Sequence, residues 1–307
     1  MFYLYSNTRE DWATIVCLVG GGQEINTGEA GIAEWIKSLN EIFRHWKVYI
    51  SPMLTEAEYA EGRVNELLEK NTNATYAEEL HLGVSLRSYR AEKLSAFVHS
   101  LLEIDGNASS IYREIGDKYP IVMTRDLEKA RRWLQEKVRS TERTGVLISK
   151  ESARYKPLGI HVLQSSDKDA VHWFLDDKTD IRSSNYLEDA ATEIQVQGLE
   201  LDYTCILWDA DMRYIDGKWH FYKFSAQSKP SNWNEILATT ENKQEQMKYM
   251  LNAYRVLLTR ARAGMIICIP ERNSHKNANG FWEDSTRLPE YYDGSYEYLR
   301  SPGIKEI

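Results

Sequence analysis

Short apolar runs alternate along the chain with longer segments in which apolar residues recur every three or four positions. The short runs are typical of buried strands, and the longer spacing is typical of amphipathic helices. This alternation predicts an α/β fold with a parallel sheet flanked by helices, because parallel strands are joined by crossover helices. The predicted strands are Ala13–Val19, Val48–Ile50, Leu80–Leu86, Ile121–Met123, Gly145–Ile148, Thr192–Val196, Tyr203–Trp208 and Met265–Ile269. The predicted helices are Ala30–Arg44, Glu56–Glu69, Ala91–Glu103, Leu127–Arg139 and Gln244–Arg262.

Two later segments depart from this alternation. Residues Tyr214 to Gln244 are polar, aromatic and irregular, which predicts an excursion from the sheet. Their aromatic rings either pack locally or stack on nucleic-acid bases, and the pattern leaves both interpretations open. These rings belong to Trp219, Phe221, Tyr222, Phe224 and Trp233. The tail from Asn273 is predicted to be loop-like, with an aromatic cluster at Tyr291–Tyr298.

Composition narrows the class of protein. A length of 307 residues suggests one large domain or two modest ones. The net charge of −8 argues against capture of nucleic acid by the whole surface but is compatible with a local basic groove. Cys17, Cys205 and Cys268 lie in apolar runs without metal-ligand spacing, which predicts buried free thiols. No signal peptide and no membrane span is expected, so a cytoplasmic protein is predicted.

Two segments in the first third of the chain have residues suited to phosphate. An apolar strand leads into Gly20-Gly21-Gly22-Gln23, a Gly-rich loop that does not match GxxxxGK[ST]. A flexible turn capped by Gln23 is the alternative. A second strand ends in Arg87 and Arg90 just before a helix, and arginine forks match phosphoryl oxygens. A solvated surface pair is the alternative there.

Two further segments lie in the second half. Ala191–Glu200 is followed at once by the strand predicted at Tyr203–Trp208. Leu251–Arg262 is predicted to be an amphipathic helix whose polar face includes Arg255 and Arg262. Each segment, taken alone, is compatible with a purely structural role.

In order along the chain, the four segments resemble motifs III, IV, V and VI of superfamily 1 helicases. Gly22-Gln23 resembles the motif III glutamine that senses the γ-phosphate, and Leu82–Ser88 resembles motif IV with its arginine at Arg87. Gln197–Glu200 resembles the Gly-Leu-Glu run of motif V, with Thr192 in the place of its threonine. Leu258–Ala261 resembles motif VI, whose arginine acts as a finger on the transferring phosphate.

More closely, the chain is similar to the C-terminal part of the Schlafen group-3-like DNA/RNA helicase family. The likeness rests on Cys17–Asn26, Gln197–Tyr214, Asn252–Gly264 and Pro289–Leu299. It implies two RecA-like lobes that clamp ATP between them. Residues 1–50 then correspond to a remnant of the first lobe with motif III, 51–79 to a connection, and 80–307 to the second RecA-like lobe with motifs IV, V and VI.

The chain departs from that family before motif III. No GxxxxGK[ST] loop and no acidic Walker B strand occurs, and Gly20–Gly22 replace the acidic residue common before the motif III glutamine. Because the loop lysine and the Mg²⁺-holding groups supply most nucleotide affinity, this chain alone is expected to bind no cofactor. ATP and Mg²⁺ are expected only in a complete assembly, with a polypeptide or missing region that provides the loop.

The resemblance also implies roles for individual residues, with DNA or RNA as the polymer. The catalytic set is Arg87, Arg260 and Gln23, and the nucleotide-contacting set is Gly22, Gln23, Gly198, Glu200 and Arg262. The nucleic-acid contacts are Thr192, Gln197, Arg90, Arg125 and Arg132, although a solvated helix face remains the alternative around Arg125–Arg139. No metal ligands are predicted.

Two other functions remain open. The first is a regulatory module that holds nucleic acid or a partner without catalysis. The second is a metal-dependent nuclease that uses Glu200, Asp202, Asp209 and Asp211, since paired carboxylates beside a strand can hold Mg²⁺.

Overall fold

The computed structural model describes residues 5–8, 12–18, 32–52, 64–68, 73–81, 89–139, 141–163, 167–227, 232–273, 275–280 and 282–307. The chain divides into two compact units, Met1–Leu86 and Arg87–Ile307. Within the described residues, no helix has both the length and the apolar character needed to cross a bilayer.

The first unit contains two small sheets and two helices. Its elements are β1 (Tyr5–Thr8), β2 (Ala13–Val16), α1 (Ile32–Glu41), β3 (Val48–Ile50), α2 (Val64–Leu68) and β4 (Ala74–Tyr76). Strands β1 and β2 pair antiparallel, and β3 and β4 pair parallel. A small apolar core of Ile36, Ile50 and Leu68 joins the helices to the parallel pair. Cys17, which was predicted to be buried, is exposed because it follows β2, a strand with mostly exposed residues.

The second unit contains the main sheet. Its helices are α3 (Tyr89–Glu103), α4 (Ala108–Ile115), α5 (Leu127–Lys137), α6 (Asp167–Leu175), α7 (Glu193–Val196), α8 (Glu241–Leu258) and α9 (Pro289–Arg300). Its strands are β5 (Ile121–Thr124), β6 (Thr144–Ile148), β7 (His161–Val162), β8 (Asp189–Thr192), β9 (Leu201–Leu207), β10 (Met212–Ile215), β11 (Lys218–Ser225), β12 (Asn232–Glu235), β13 (Ala261–Cys268) and β14 (Lys305–Glu306).

Seven of these strands form one all-parallel sheet in the order β14-β5-β13-β9-β6-β8-β7. Ile148 and Ile266 pack in one cluster with Leu134 of α5. Their neighbours Leu147 and Ile267, on the opposite face, are also completely buried. Both faces are therefore covered, which explains why the strand sequences are nearly all apolar. The predicted RecA-like α/β fold is confirmed.

The excursion between β9 and α8 is a three-stranded antiparallel meander, β10-β11-β12. Trp219 Nε1 donates to the Leu102 carbonyl at 2.9 Å, and its ring meets Tyr298 edge-on. Trp233 is 6% exposed and its Nε1 donates to the Thr286 carbonyl at 3.0 Å. These two indoles pack locally.

Several predicted boundaries are wrong. The strand predicted at Thr192–Val196 is instead the end of β8 followed by α7, and the helix predicted to reach Arg262 ends at Leu258. The tail after Asn273 is not simply loop, because it contains α9 and the edge strand β14. Of the strand predicted at Leu80–Leu86, Leu80 ends a short 3-10 helix, and most of the rest lies outside the described residues.

Candidate functional site

The motif V segment begins with a tightly capped helix. Thr192 is the N-cap of α7, and its backbone N–H donates to Gln195 Oε1 at 2.7 Å in a capping box. The predicted strand fails here because this Thr-x-x-Gln pattern satisfies the first N–H groups of a helix. Thr192, predicted to contact nucleic acid, is only 4% exposed. Gly198 then turns the chain with φ +83° into the exposed Glu200, while Gln197 is half-buried.

The motif VI arginine is tied to this turn. Arg260 is 2% exposed, and its Nη1 donates to the carbonyls of Leu199 at 3.3 Å and Val196 at 3.5 Å. Its Nε donates to the Val256 carbonyl at 2.9 Å, and its own carbonyl accepts from the Leu201 N–H at 3.0 Å. The guanidinium thus lies at the amino edge of the sheet, between the end of α8 and the start of β9.

Arg262 lies beside this junction, in β13 and not on a helix face. The register between β13 and β9 shifts between Ala261 and Gly264, so Arg262 lies in a bulge. A bulge re-aims a side chain, and that of Arg262 is 58% exposed. Its Nη2 donates to Asp202 Oδ1 at 2.8 Å, while Asp202 Oδ2 accepts from the Arg143 N–H at 2.8 Å.

The remaining predicted residues lie elsewhere. Gly22, Gln23 and Arg87 are outside the described residues, as is the side chain of Arg90, although its backbone is in α3. Arg125 follows β5 at the carboxyl edge, and Arg132 is exposed on α5. The structure therefore brings together Gln197, Gly198, Arg260 and Arg262, with Glu200 in the same segment, but places Arg125 at the other edge of the sheet.

The carboxyl edge is organised around Asp209, directly after β9. Its Oδ2 accepts from Ser152 Oγ at 2.7 Å and from the N–H groups of Ala153 and Arg154 at 3.0 and 2.8 Å. Its Oδ1 accepts from the Tyr292 hydroxyl at 3.0 Å. The carboxylate therefore fills a nest of donors at the ends of β6 and β9, where chain connections diverge and open α/β sheets bind ligands.

Asp211 is a second buried acid two residues later. It is 0% exposed, and its Oδ1 accepts from the Tyr254 hydroxyl of α8 at 2.7 Å. Burial, reinforced by the charge of Asp209, raises the pKa of Asp211 to about 7. This carboxyl group thus joins the end of β9 to the helix that precedes motif VI.

The carboxylates of the nuclease hypothesis do not form one site. Glu200 and Asp202 lie at the start of β9, whereas Asp209 and Asp211 follow its end. Because β9 is seven residues long and extended, the two pairs lie roughly 20 Å apart. Across the described parts of the chain, no group of three or more His, Cys, Asp or Glu residues is placed to hold a metal ion.

The sequence prediction missed other residues at the carboxyl edge. An open cavity of about 560 Å³ lies between the loops that follow β5, β6 and β13. Its wall includes Arg125, Arg272, Arg287 and Asp284. Only Arg125 was predicted: Arg272 lies between the predicted strand Met265–Ile269 and the tail, and Arg287 lies in the tail that was interpreted as loop. For Arg272 the available signal was its position shortly after the buried strand β13, at an edge that commonly binds ligands, whereas Arg287 lies much further along the same connection.

The all-parallel sheet and the junction of two separate segments at its amino edge define a RecA-like α/β protein. The chain belongs to the family described as Schlafen group 3, DNA/RNA helicase domain, whose sequence model matches residues 4–271. The predicted family membership is therefore confirmed. None of the curated proteins matches the chain.

Proposed function

We propose that residues 87–307 act as the second lobe of a nucleic-acid-dependent ATPase of the superfamily 1 type. ATP and Mg²⁺ would bind only when a lobe with a phosphate-binding loop completes the site. The observation that supports this proposal is the junction in which Arg260 contacts the turn at Val196 and Leu199 while the exposed Arg262 lies beside it. Through such a junction, contact with a nucleotide phosphate and contact with the nucleic acid would influence one another.

The donor set of this chain fits a phosphate better than it fits Mg²⁺. Guanidinium groups stabilise the charge that spreads over the equatorial oxygens in phosphoryl transfer, an effect of about 10³–10⁵ in rate. In the proposal Arg87 and Arg260 act on the γ-phosphate, and Gln23 senses it. Gly22, Gly198, Glu200 and Arg262 line the nucleotide. Thr192, Gln197, Arg90, Arg125 and Arg132 line the DNA or RNA. The Mg²⁺ ligands would come from the completing lobe.

The test is ATP hydrolysis with and without a separate polypeptide that carries the family's phosphate-binding loop and Walker B strand. We expect no detectable binding of MgATP by this chain alone in isothermal titration. Hydrolysis stimulated by nucleic acid should appear on mixing, and Arg87→Ala should abolish it. Micromolar MgATP binding by the chain alone, if Gln23→Ala abolishes it, would overturn the half-site proposal and assign a phosphate site to Gly20–Gln23.

A regulatory module without catalysis is the second candidate, and the burial of Arg260 favours it. At 2% exposure the guanidinium must leave the carbonyls of Val196 and Leu199 before it can reach a phosphate. This candidate predicts tight nucleic-acid or partner binding that survives Arg87→Ala. Loss of cellular function in a folded Arg87→Ala variant would reject it.

A further inference from the structure

We infer that the cavity at the carboxyl ends of β5 and β13 binds one phosphate group through Arg272 and Arg287, with Arg125 beside them. All three side chains lie in its wall. Arginine forks match phosphate oxygens because they are planar, permanently charged and bidentate. The phosphate belongs to a nucleic-acid backbone or to a free nucleotide, and these two sources are separated by experiment.

Two of the guanidinium groups share a single carboxylate. Arg125 Nη2 is 2.7 Å from Asp293 Oδ1, and Arg272 Nη1 contacts Asp293 Oδ2. One negative charge does not neutralise two positive ones, so the pair attracts a further anion. The Arg125 guanidinium also lies 4.0 Å from the centroid of the Tyr296 ring, which fixes its plane.

Arg287 adds a third positive charge. Its Nη2 donates to the backbone carbonyl of Glu271 at 3.0 Å, which satisfies a donor without supplying a counter-charge. Among the ion pairs of the described residues, none includes Arg287. The Glu271 side chain is exposed, in the same wall.

The other acidic groups of the wall are engaged by partners outside this arginine set. Asp126 accepts from the first N–H groups of α5, Glu128 pairs with Arg131 at 2.6 Å, and Asp284 pairs with Arg154 at 2.9 Å. Since Asp126 already occupies the start of α5, recognition of the phosphate falls to side chains.

The identity of a polymeric ligand rests on the proposed function, whereas the phosphate chemistry does not. The test titrates labelled single-stranded DNA and RNA with the full chain and follows anisotropy at several salt concentrations. ADP and inorganic phosphate are tested separately by thermal shift. The site variant is Arg272→Gln with Arg287→Gln. Its matched control is Arg182→Gln with Arg113→Gln, which makes the same charge change at an ion-paired arginine and at one bonded to a carbonyl.

We expect the site variant to lose about tenfold in affinity for single-stranded DNA or RNA. The slope of its log affinity against log salt concentration should decrease by the equivalent of about one phosphate contact. The affinity of the control variant should stay within about twofold of the wild type. If both variants lose nucleic-acid affinity equally, or if neither does, the cavity assignment is overturned, although the wild-type chain still binds nucleic acid. If the wild type binds no strand but ADP or phosphate raises its Tm, and only the site variant abolishes that shift, the phosphate site stands and the proposed function fails. Binding of none of these ligands overturns both.

Asp293→Asn provides a second test in which the affinity is expected to rise and every arginine of the cavity is kept. Removing the shared carboxylate leaves Arg125 and Arg272 to the ligand, so phosphate or strand affinity should rise about three- to tenfold. Asp180→Asn, which removes a carboxylate paired with Arg182, is the matched control. An unchanged or lower affinity in Asp293→Asn, with the fold intact by circular dichroism, rejects the site.

Discussion

The two edges of the seven-stranded sheet bury ions of opposite sign in comparable ways. At the amino edge, the Arg260 guanidinium donates to carbonyls of the motif V turn. At the carboxyl edge, the Asp209 carboxylate accepts from hydroxyl and backbone N–H groups of the loop after β6. Burying a charge is costly unless hydrogen bonds replace its water, and each ion meets that condition with groups from a neighbouring segment.

The difference between the edges lies in what surrounds the buried ion. Arg260 is flanked by the exposed Arg262, whereas Asp209 is followed by a second buried acid, Asp211. The comparison indicates that the most buried charged groups hold neighbouring segments together at each edge, and we predict that the exposed arginines beside them contact a ligand without first leaving such bonds. Four substitutions test this division, from the largest expected effect to the smallest.

Arg260→Met keeps the length of the side chain but removes the guanidinium. The carbonyls of Val196, Leu199 and Val256 then lose a donor inside the protein, and we expect a loss of roughly 3 kcal/mol or more in the free energy of unfolding. Urea denaturation measures the loss, and hydrogen exchange should speed up across residues 196–201. A loss below about 1 kcal/mol would show that Arg260 does not hold the motif V turn.

Asp209→Asn breaks the corresponding tie at the carboxyl edge. An amide NH₂ donates and cannot accept, so one side of the group fails: either the donors at Ser152, Ala153 and Arg154 or the Ala210 N–H and the Tyr292 hydroxyl proton lose their acceptor. We expect destabilisation of about 2–3 kcal/mol in the same urea experiment. The exposed Asp117→Asn is the control, and equal effects of the two substitutions would contradict the assignment.

Asp211→Asn should act in the opposite direction and depend on pH. The folded-state pKa of about 7 exceeds the ordinary 3.8, so the folded chain retains a proton that the unfolded chain releases. The contribution of Asp211 to the free energy of unfolding of the wild type is therefore fully present below about pH 4, and it is lost as the pH rises towards 7. Asn can still accept from Tyr254 through its amide oxygen. The variant should be more stable than the wild type by about 1–2 kcal/mol at pH 8. The difference between the folded-state and ordinary pKa of Asp211 sets an upper limit of roughly 4 kcal/mol on this gain.

Urea unfolding at several pH values tests this expectation. The stability difference between Asp211→Asn and wild type should grow between about pH 4 and 7 and then level off. A difference that is independent of pH across this window would show that Asp211 titrates in its ordinary range.

The sequence predicted the sheet well because strands buried on both faces are apolar runs, as in Gly145–Ile148 and Met265–Ile269. It failed where local capping competes with strand propensity. The Thr192-x-x-Gln195 box was readable as a helix start, but the β-branched Thr192, Ile194 and Val196 favoured a strand.

The order of the sheet explains the other failures. Strand β14 comes from the end of the chain and pairs with β5, a long-range contact that periodicity does not encode. Motifs V and VI were identified from local sequence, and the junction at Arg260 depends on β9 and β13 lying side by side. In the carboxyl-edge cavity, Arg125 follows β5 whereas Arg272 and Arg287 both lie in the connection after β13, and these two segments meet because the parallel strands end at one edge.

Arg262→Gln is expected to change the free energy of unfolding least of the four substitutions, and it is the one expected to reduce ATP hydrolysis without unfolding the protein. The side chain is 58% exposed, and Asp202 keeps its bond from the Arg143 N–H, so the loss should stay below about 1 kcal/mol. In the complete ATPase of the proposed function, however, Arg262 presents a guanidinium to the nucleotide that glutamine cannot replace. Hydrolysis should therefore fall at least tenfold while urea denaturation is nearly unchanged. A loss in unfolding free energy as large as that expected for Arg260→Met would mean that Arg262, like Arg260, mainly holds neighbouring segments together, and the division between buried ties and exposed contacts would fail at the amino edge.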